Sequence, residues 1–583
     1  FVPVDKPHPP LNIICEFTGI KKLPKLPMVR KNFSKANFEG VSLTLNNINW
    51  EKLLFDINID IAVDKFYNGV NLILDKYVPI INVYKPNFPH WFDGNLRRLI
   101  KKKRVAHMIY KKNPCPATYA FFSELRAKCK YFSKQCYDRY LYNIQNNLST
   151  NPKNFWSFIR EKRQTNVLPS SMSYNEKTFD NNKTISNAFA DYFSSVYKKS
   201  QFPASQSSEF ISQSTVNISS IHISLAEVFE GLTNMGLDST YGPDGLPPIV
   251  LSKCCYSLAR PVFALFNKSL SVGVFPTLWK TSFVIPVFKS GNRNSISNYR
   301  PISKLSSLPK LFEKLIEPKL SCSFINILIN EQHGFRPQKS TVTNLVVYLN
   351  NVLGTMKNRG QVDAIYTDLS KAFDSVDHEV LLGKLKTLGV NDPILSWIRS
   401  FLTNRFQQVK IIDTISSSYK VNSGVPQGGH LSPLLFLLFM NDVKSIFRYC
   451  KFSLFADDLK LYLTINSIDD CVRLQEEFHR FSNWCKENHL KINVNKCAQI
   501  SFTRKNKPIL HNYSLDNHKI KIVSSIKDLG IILSSDLTFS EHISYIHNKA
   551  MRMLGFIRRQ FWNFNNIQCL RTLYCSLVRS NIE

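Results

Sequence analysis

The sequence is short of acidic residues. It has 43 Asp and Glu against 75 Lys and Arg among 583 residues, which gives a formal net charge of +32. Such an excess favours a polyanionic partner, because cationic side chains that neutralise phosphates release condensed counterions. The alternative is a ribosomal-type protein or a basic solvated surface. Those proteins usually have poor cores, whereas 44% of this chain is hydrophobic and it contains 42 Phe and 23 Tyr.

Long apolar runs and paired cysteines are also missing. The longest apolar run, Leu431–Met440, is far shorter than the roughly 18 residues that a membrane span needs. The 13 cysteines are scattered, with no CxxC pair and no Cys/His spacing typical of zinc sites. We therefore expect reduced thiols in an intracellular protein rather than a disulfide framework. The chain begins at Phe1 and has no signal-peptide pattern, so we expect a fragment.

Composition divides the chain into five segments. Residues 1–60 carry prolines and extended-looking runs such as GVSLTL, and residues 61–165 are helical and basic. Residues 166–229 are rich in Ser and Asn, which is typical of a partly ordered connector. Residues 230–537 alternate strand and helix patterns, with a core at about 269–533, and residues 538–583 are again helical and basic. The length predicts three to four domains or subdomains of about 150 residues each.

The basic segment has a pattern typical of a nucleic-acid surface. Residues 95–112, NLRRLIKKKRVAHMIYKK, contain eight Lys and Arg, and aromatic residues alternate with cations through residues 121–143. Rings can stack on bases while cations track phosphates. A solvated basic helix pair is the alternative. The candidate nucleic-acid-binding residues here are Arg97, Arg98, Lys101, Lys102, Lys103 and Arg104.

Two adjacent aspartates lie between two short apolar runs. Residues 452–463, FSLFADDLKLYL, predict a strand, a sharp turn at Asp457 and Asp458, and a returning strand. Side-by-side carboxylates repel each other, and a divalent cation at the turn would offset that repulsion. In a strongly basic protein, such a cation suggests phosphate chemistry on nucleic acid.

A second acidic strand end lies upstream, in VDAIYTDLSKAFDSVDH at residues 362–378. The apolar alternation ends at Asp368, and a turn toward a helix follows. If Asp368 faces the turn at Asp457, the two carboxylates could supply oxygen ligands to two Mg²⁺ ions, which can activate a 3′-hydroxyl and stabilise a leaving pyrophosphate. Taken alone, either aspartate is more simply a solvent-facing residue at a strand end.

The ordered motifs resemble a known family. DLSKAFD, GVPQG and FADD, in this order, look like the palm of a reverse transcriptase, and most closely that of the jockey-type non-LTR retrotransposons. Further segments fit the same order, and the resemblance covers roughly residues 230–583. They are VIPVFKSGNRNSISNYRPIS at 284–303, LFEKLI at 311–316, QHGFRPQKST at 332–341, GVPQGGHLSPLLFLLFMND at 424–442, WCKENHLKINVNKC at 484–497 and KDLGIIL at 527–533.

The resemblance implies a fold and an activity. The fold would be α+β, a right-hand polymerase with fingers, an antiparallel palm sheet and a thumb, preceded by a mainly helical basic linker. The activity would be RNA-directed DNA polymerisation, a nucleotidyl transfer from a dNTP to a primer 3′-hydroxyl on an RNA template. Two Mg²⁺ ions, which Mn²⁺ can replace, would assist. Expected partners are the RNA template, a DNA primer or target and dNTPs, with no membrane.

The resemblance also implies residue roles. Asp368 and Asp457 would be the principal metal ligands, with Asp458 as a weaker third carboxylate, and Lys496 would protonate the leaving pyrophosphate. Phe373 would be a gate that rejects a ribose 2′-hydroxyl, although core packing is the simpler alternative. The other implied residues, at the nucleotide, template or nucleic-acid site, are Gln427, Gly428, Arg300, Lys289 and Arg336. KDLGIIL would form a hairpin that grips the primer strand.

Several departures from the family pattern are visible. A Ser or Cys commonly follows PQG where Gly429 stands, and a Gly is frequent at Ser432. Residues 2–17 resemble the last strand of an endonuclease domain, with Asp5 and His8 as remnants. The other endonuclease carboxylates are missing, so we predict no endonuclease activity. We see no CCHC knuckle and no RNase H acidic set, and we expect residues 538–583 to be the start of a truncated thumb.

Two other functions fit parts of the pattern. A decayed or domesticated element product would only bind nucleic acid, and a group II intron-type maturase would share the palm motifs. NYRPIS and the WCKEN…LKINVNKC pattern disfavour the maturase. We expect an intracellular protein that is nuclear when it acts on DNA or cytoplasmic as an RNA–protein complex. KKKR at residues 101–104 fits an import signal or a phosphate patch equally well.

Overall fold

The computed structural model describes residues 28–54, 58–83, 88–163, 168–197, 216–238 and 240–583. Asp5 and His8 of the predicted endonuclease remnant, residues 1–60, lie outside the described residues. The chain combines helices and strands throughout, which confirms the mixed α and β composition expected from the sequence.

The helices are distributed along the whole described chain. They are α1 Phe38–Asn46, α2 Trp50–Leu54, α3 Ile59–Tyr77, α4 Gly94–Lys112, α5 Pro116–Asn146, α6 Pro152–Arg163, α7 Asn182–Ser194, α8 Leu225–Thr233, α9 Pro248–Lys253, α10 Cys255–Ser271, α11 Ser307–Phe324, α12 Thr341–Lys357, α13 Ala372–Ser375, α14 His378–Thr387, α15 Ile394–Leu402, α16 Leu431–Met440, α17 Ile468–Glu487, α18 Ser540–Gln560 and α19 Ile567–Leu577.

The strands form two five-stranded sheets and several short two-stranded ones. They are β1 Met28–Lys31, β2 Ile80–Val83, β3 Met172–Tyr174, β4 Lys177–Phe179, β5 Thr281–Phe288, β6 Tyr299–Lys304, β7 Gln361–Thr367, β8 Arg405–Ile411, β9 Thr414–Ile415, β10 Tyr419–Val421, β11 Lys451–Phe455, β12 Asp458–Thr464, β13 Ala498–Thr503, β14 Ser514–Leu515, β15 His518–Lys519, β16 Lys521–Ile522, β17 Ser525–Asp528 and β18 Ile531–Ser534.

The central sheet has the strand order β11-β12-β7-β13-β16. Its first four strands are antiparallel, while β16 runs parallel to β13. Both faces are covered, by Tyr348 and Val352 of α12 on one side and by Phe478 and Phe481 of α17 on the other. Because strand side chains alternate between two faces, burial on both faces explains why β7 is apolar almost throughout.

The second sheet has the order β10-β8-β5-β6, with β9 paired to β8. Helix α7 packs on it through Ile185, Phe189 and Phe193, which recur at every fourth residue and are buried. The Ser/Asn-rich segment was expected to be a partly ordered connector. The described parts of this 166–229 segment are residues 168–197, with the β3–β4 hairpin and α7, and residues 216–229, with the start of α8. The apolar positions of α7 bury one helical face.

The expected segment boundary at residue 60 is wrong in position, because it falls inside α3. Most of α3 was expected in the basic linker and α1 in the segment before it, and both helices belong to the main hydrophobic core. The run GVSLTL, expected to be extended, lies in α1, where Val41 and Leu45 are fully buried at helical spacing. Tyr67 on α3 donates a hydrogen bond to Asp244 (2.8 Å) and fixes α3 on the core.

The C-terminal helices pack on α5 and α6 from far upstream. Phe155 stacks on Phe561 with ring centroids 5.3 Å apart, and Phe158 stacks on Phe564 at 6.1 Å. The buried Gln145 accepts hydrogen bonds from the backbone N–H groups of residues 565 and 566. The basic segment and the C-terminal segment therefore share one hydrophobic core.

The run Leu431–Met440 forms α16, which is buried inside the main core. None of the helices in the described residues is both long enough and apolar enough to cross a bilayer.

Candidate active site

The two adjacent aspartates lie at the tip of the β11–β12 hairpin. Phe452 and Leu454 are buried and anchor β11, and Phe455 pairs with Asp458 across the turn. Ala456 occupies the left-handed region with φ of 57°, a conformation that costs energy for a residue with a Cβ atom. Asp457 is half-buried and Asp458 is exposed.

Gln332 holds this turn in place. Its side-chain amide donates to the carbonyl of Ala456 (3.1 Å) and accepts the N–H of the same residue (3.0 Å), while the side chain is 2% exposed. Gly334 lies so close that a Cβ there would be 2.4 Å from the nitrogen of Ala456. Sequence reasoning gave neither residue a role. Their segment, QHGFRPQKST, was recognised only by its order among the motifs.

Asp368 follows β7 directly and so lies beside the hairpin tip, because β7 pairs with β12 in the register Thr367 opposite Leu459. Its carbonyl accepts the N–H of Asn493 (2.8 Å), and its carboxylate accepts a hydrogen bond from Lys496 Nζ (3.0 Å). The structure therefore brings together the predicted residues Asp368, Asp457, Asp458 and Lys496.

The carboxylates at the tip carry raised pKa values. Desolvation, followed by repulsion from Asp368, raises the pKa of Asp457, while Arg300 and Lys496 oppose the shift. Desolvation, followed by the negative charges of Asp457 and Asp368, raises the pKa of Asp458 to about 6. This edge of the sheet therefore favours cations, which would relieve the repulsion.

The donor set suits Mg²⁺. Among the described residues, no group of three or more His, Cys, Asp or Glu side chains is already gathered around one point. Mg²⁺ does not need such a cage, because it usually binds through one or two carboxylates, with waters and substrate phosphates completing the octahedron. Asp368, Asp457 and Asp458 could supply those carboxylates.

A cleft of about 380 Å³ opens beside these residues. Asp368, Asp458 and Lys496 line it, together with Lys527 and Asp528 of β17. Side chains of both charges therefore face the cleft.

The PQG loop lies between the two sheets. Gly428 has φ of 114°, and a Cβ there would be 2.7 Å from the carbonyl oxygen of Ser303, so glycine is required on both grounds. Gln427 donates a hydrogen bond to Asp374 (2.8 Å), whose pKa desolvation raises to about 6. This bond fixes the orientation of the Gln427 amide.

A buried carboxyl group supports the same loop. Glu313 is fully buried, accepts the N–H of Leu431 (3.3 Å) at the start of α16, and has a pKa raised to about 7 by desolvation. A Cβ at Gly429 would be 2.4 Å from Glu313 Oε2. The departure from Ser or Cys at position 429 is therefore matched by a close approach of this carboxyl group.

Phe373 lies in an aromatic row. Its ring stacks on Phe436 (4.2 Å between centroids) and meets Phe335 edge-on (6.0 Å). Phe373 is half-buried and Phe335 is 55% exposed. The position is compatible with both predicted roles, gate and packing, because one edge remains accessible.

The remaining predicted site cations differ in their surroundings. Arg300 on β6 is exposed, and its positive charge acts to lower the pKa of Asp457. Lys289, just after β5, is also exposed. Arg336 instead donates to the carbonyls of residues 325, 328 and 329, so its guanidinium already holds a loop together. A nucleic-acid role for Arg336 stays a prediction.

The six predicted cations of the basic segment lie on α4, which pairs with α5. Lys103 is half-buried, and the other five are exposed. The Arg104 guanidinium lies over the Phe88 ring, 5.6 Å from its centroid. Aromatic rings such as Tyr131 and Phe132 are exposed on the neighbouring helix α5. A role of these cations and rings in nucleic-acid binding stays a prediction.

Comparison with known proteins identifies the class. Residues 288–557 match the family model described as reverse transcriptase (RNA-dependent DNA polymerase). This part of the chain matches a reverse transcriptase domain, which confirms the resemblance noted in the sequence. Reverse transcriptases generally depend on divalent metal ions.

The similar proteins found by comparison belong to the jockey-like, non-LTR type of mobile element. The RNA-directed DNA polymerase from mobile element jockey of Drosophila melanogaster is 26% identical, and the match covers 98% of this chain and 64% of that protein. The probable RNA-directed DNA polymerase from transposon BS of the same organism is 29% identical over 65% of this chain and 44% of that protein. The chain thus spans less than two thirds of the length of these relatives.

A solved structure of apo telomerase from Candida Tropicalis covers 50% of this chain and 67% of its own, with 12% identity and a TM-score of 0.33. A similarity at this level supports no conclusion about this chain.

Proposed function

We propose that this chain is an RNA-directed DNA polymerase that extends a primer 3′-hydroxyl with dNTPs on an RNA template. One observation carries the proposal. Asp368 and the Asp457–Asp458 turn, which are far apart in sequence, lie at the ends of neighbouring strands, and Asp368 and Asp458 line one cleft. The names of the jockey and BS relatives support the same activity.

We infer a right-hand architecture for this activity. The central sheet corresponds to the palm, because it carries the three aspartates. The second sheet with α10 to α12 corresponds to the fingers, and it presents Arg300 and Lys289 toward the nucleotide. Helices α18 and α19 correspond to the thumb, and α4 to α6 to the basic linker. The antiparallel pairing of β11, β12, β7 and β13 supports the palm assignment.

In the proposed reaction, the primer 3′-oxygen forms a bond to the α-phosphorus of the dNTP while the bond to the β-phosphate oxygen breaks. The hydroxyl loses its proton, and pyrophosphate leaves. Two bound Mg²⁺ ions, which Mn²⁺ can replace, would lower the pKa of the hydroxyl and stabilise charge on the phosphates. Asp368, Asp457 and Asp458 would hold the ions.

The other site residues would bind the triphosphate, orient the nucleotide and template, and exclude a ribose 2′-hydroxyl. Lys496, held beside Asp368, would neutralise and protonate the leaving pyrophosphate, and Arg300 and Lys289 would bind the triphosphate, since a guanidinium matches phosphate oxygens in a fork. Gln427, fixed by Asp374, would orient the nucleotide and template beside Gly428. Phe373 would lie beneath the incoming sugar.

The partners follow from this activity. We propose that the α4 cations and neighbouring aromatic rings bind the RNA template or the DNA target through phosphate contacts and stacking. The protein would act in the nucleus on DNA and be present in the cytoplasm as an RNA–protein complex.

Primer extension on a homopolymer tests the proposal. The chain is incubated with poly(rA)/oligo(dT), dTTP and Mg²⁺, with a parallel reaction in excess chelator. We expect extension only with the free divalent ion. Binding of poly(rA)/oligo(dT) without extension, in either Mg²⁺ or Mn²⁺, would contradict the proposal and favour a protein that only binds nucleic acid.

A further inference from the structure

The β17–β18 hairpin lines the same cleft as Asp368 and Asp458, through Ile526, Lys527 and Asp528. Its two strands pair with each other and with no further strand of the described chain. A backbone hydrogen bond from the Thr503 N–H of β13 to the Ser535 carbonyl (3.1 Å) ties the base of the hairpin to the central sheet, and side-chain contacts fix the rest of it relative to the aspartates. Ile526 and Leu533 contribute apolar packing against the core around α12.

A buried ion pair provides the directional contact. Lys460 Nζ donates to Asp528 Oδ2 at 2.5 Å, and the two residues are 4% and 7% exposed. Lys460 lies on β12 two residues after Asp458, and Asp528 ends β17. The pair thus joins the cleft wall directly to the strand that carries the Asp458 carboxylate.

A tyrosine ties the same aspartate to the other acidic strand. The Tyr366 hydroxyl donates to Asp528 Oδ2 (3.2 Å) and lies 3.1 Å from the hydroxyl oxygen of Tyr348. Tyr366 precedes Asp368 by two residues on β7 and is the register partner of Lys460 on β12. Asp528 therefore contacts each of the two strands at a residue two positions along the chain from an active-site aspartate, Asp368 or Asp458.

Stability alone does not explain such a pair. Taking two charges out of water is costly, and replacing a buried pair by apolar residues is often neutral or stabilising. What the pair provides is a fixed geometry, because the charged hydrogen bond has a defined length and direction. The ring of Tyr348, 4.3 Å from Lys460 Nζ, further limits where the ammonium can lie.

We propose that Asp528 is a positioning residue for nucleotide addition. Through Lys460 and Tyr366 it fixes the β17–β18 hairpin, which lines the cleft, relative to Asp368 and Asp458, and so fixes the shape of the cleft in which the reacting groups would lie. This inference rests on the proposed polymerase function. The residue itself touches neither substrate nor metal.

The expected effect is on rate rather than on nucleotide affinity. A displacement of about 1 Å at the reacting atoms can slow a reaction on the order of 100-fold. We expect Asp528→Asn to slow single-nucleotide addition by about 10- to 100-fold, while the KM for dTTP changes less than about 3-fold, because the proposed nucleotide contacts lie on other elements.

The test is a pre-steady-state burst of single dTTP addition on poly(rA)/oligo(dT), which measures the active fraction and the rate per active site separately. Asp363→Asn is the matched control. Asp363 is a buried aspartate on the same β7 strand, and it accepts a hydrogen bond from Tyr513 OH (2.8 Å) away from the cleft. It should lower thermal stability and the active fraction without changing the rate per active site.

A second variant distinguishes a positioning effect from simple misfolding. Lys460→Met combined with Asp528→Leu leaves no unpaired buried charge, so it should fold, and it should still add dTTP at least about 5-fold more slowly than the unmodified chain. If the unmodified chain is active and both Asp528 variants add dTTP at its rate per active site, only the positioning role is overturned. No extension by the unmodified chain would overturn the polymerase proposal and this inference together.

Discussion

Residue by residue, the hairpin tip is held by groups that carry no charge. The turn at Ala456 has a left-handed backbone, and the Gln332 amide satisfies both its N–H and its carbonyl. Removing that amide would leave three buried backbone groups without this partner, the N–H and carbonyl of Ala456 and the N–H of Gly334, each at a cost of roughly 1–3 kcal/mol. The position of Asp457 therefore depends on a residue more than a hundred positions upstream.

We predict that Gln332→Ala lowers both the free energy of unfolding and the extension rate per folded molecule. The matched control is Gln475→Ala, because Gln475 makes the same two hydrogen bonds to the backbone of Ser514, both 2.8 Å, away from the aspartates. Both variants should lose similar stability in chemical denaturation. If both retain the unmodified extension rate, Gln332 has no influence on the site beyond stability.

Phe373 provides a second test at this scale. Its ring is held between Phe436 and Phe335, so an alanine there would open space next to the proposed sugar position. We predict that Phe373→Ala reduces the preference for dTTP over UTP, measured as the ratio of kcat/KM values, by about 10-fold or more, since lost steric exclusion is worth at least ~1 kcal/mol. An unchanged ratio would assign Phe373 to core packing alone.

Among the elements, the β11–β12 hairpin and the strand ending at Asp368 could be predicted from the sequence. Their apolar alternation is local, and it stops at the acidic residues. The partners of the turn, such as Gln332, could not be predicted, because a buried amide carries no periodicity. Helix α1 was mistaken for a strand because its β-branched residues are typical of strands, and tertiary burial of Val41 and Leu45 overrode that preference.

A carboxyl group on α11 that contacts the start of α16 should make stability depend on pH. The pKa of Glu313 is about 7 in the folded protein, against 4.5 for an ordinary glutamate. Between these values the unfolded chain releases the proton while the folded chain keeps it. The stabilising contribution is therefore complete below pH 4.5 and is lost as the pH rises toward 7.

We predict that Glu313→Gln weakens this pH dependence. The free energy of unfolding, measured by denaturant titration at intervals between pH 4.5 and 8, should fall less steeply in the variant than in the unmodified chain. The comparison isolates Glu313, because other buried groups such as Asp374 titrate in both proteins. Parallel pH profiles would mean that Glu313 is ionised in the folded protein.

Across the whole molecule, segments some four hundred residues apart depend on each other. Helices α5 and α6 share a hydrophobic core with α18 and α19, and Lys162 Nζ donates to the carbonyl of Gln560 (2.7 Å). The sequence showed two separate basic helical segments and no pattern that joins them. Contacts of this kind lie outside any local window, so only the folded structure shows them.

We predict that Phe155→Ala destabilises the C-terminal helices. Phe155 is 1% exposed and stacks on Phe561, so truncation should cost about 3–5 kcal/mol and speed amide hydrogen exchange across residues 540–578. Phe189→Ala is the matched control, because Phe189 is equally buried but lies in the core of the second sheet. Exchange in residues 540–578 that responds equally to both variants would contradict a local shared core.

The Asp457 carboxylate gives the most direct test of the polymerase proposal. Asp457→Asn keeps the shape of the side chain and removes its charge, so extension of oligo(dT) on poly(rA) should fall below detection while binding of the same duplex stays within about 3-fold. Asp469→Asn, an exposed aspartate in the first turn of α17, should leave both unchanged. Extension by Asp457→Asn at the unmodified rate would contradict the two-metal active site proposed here.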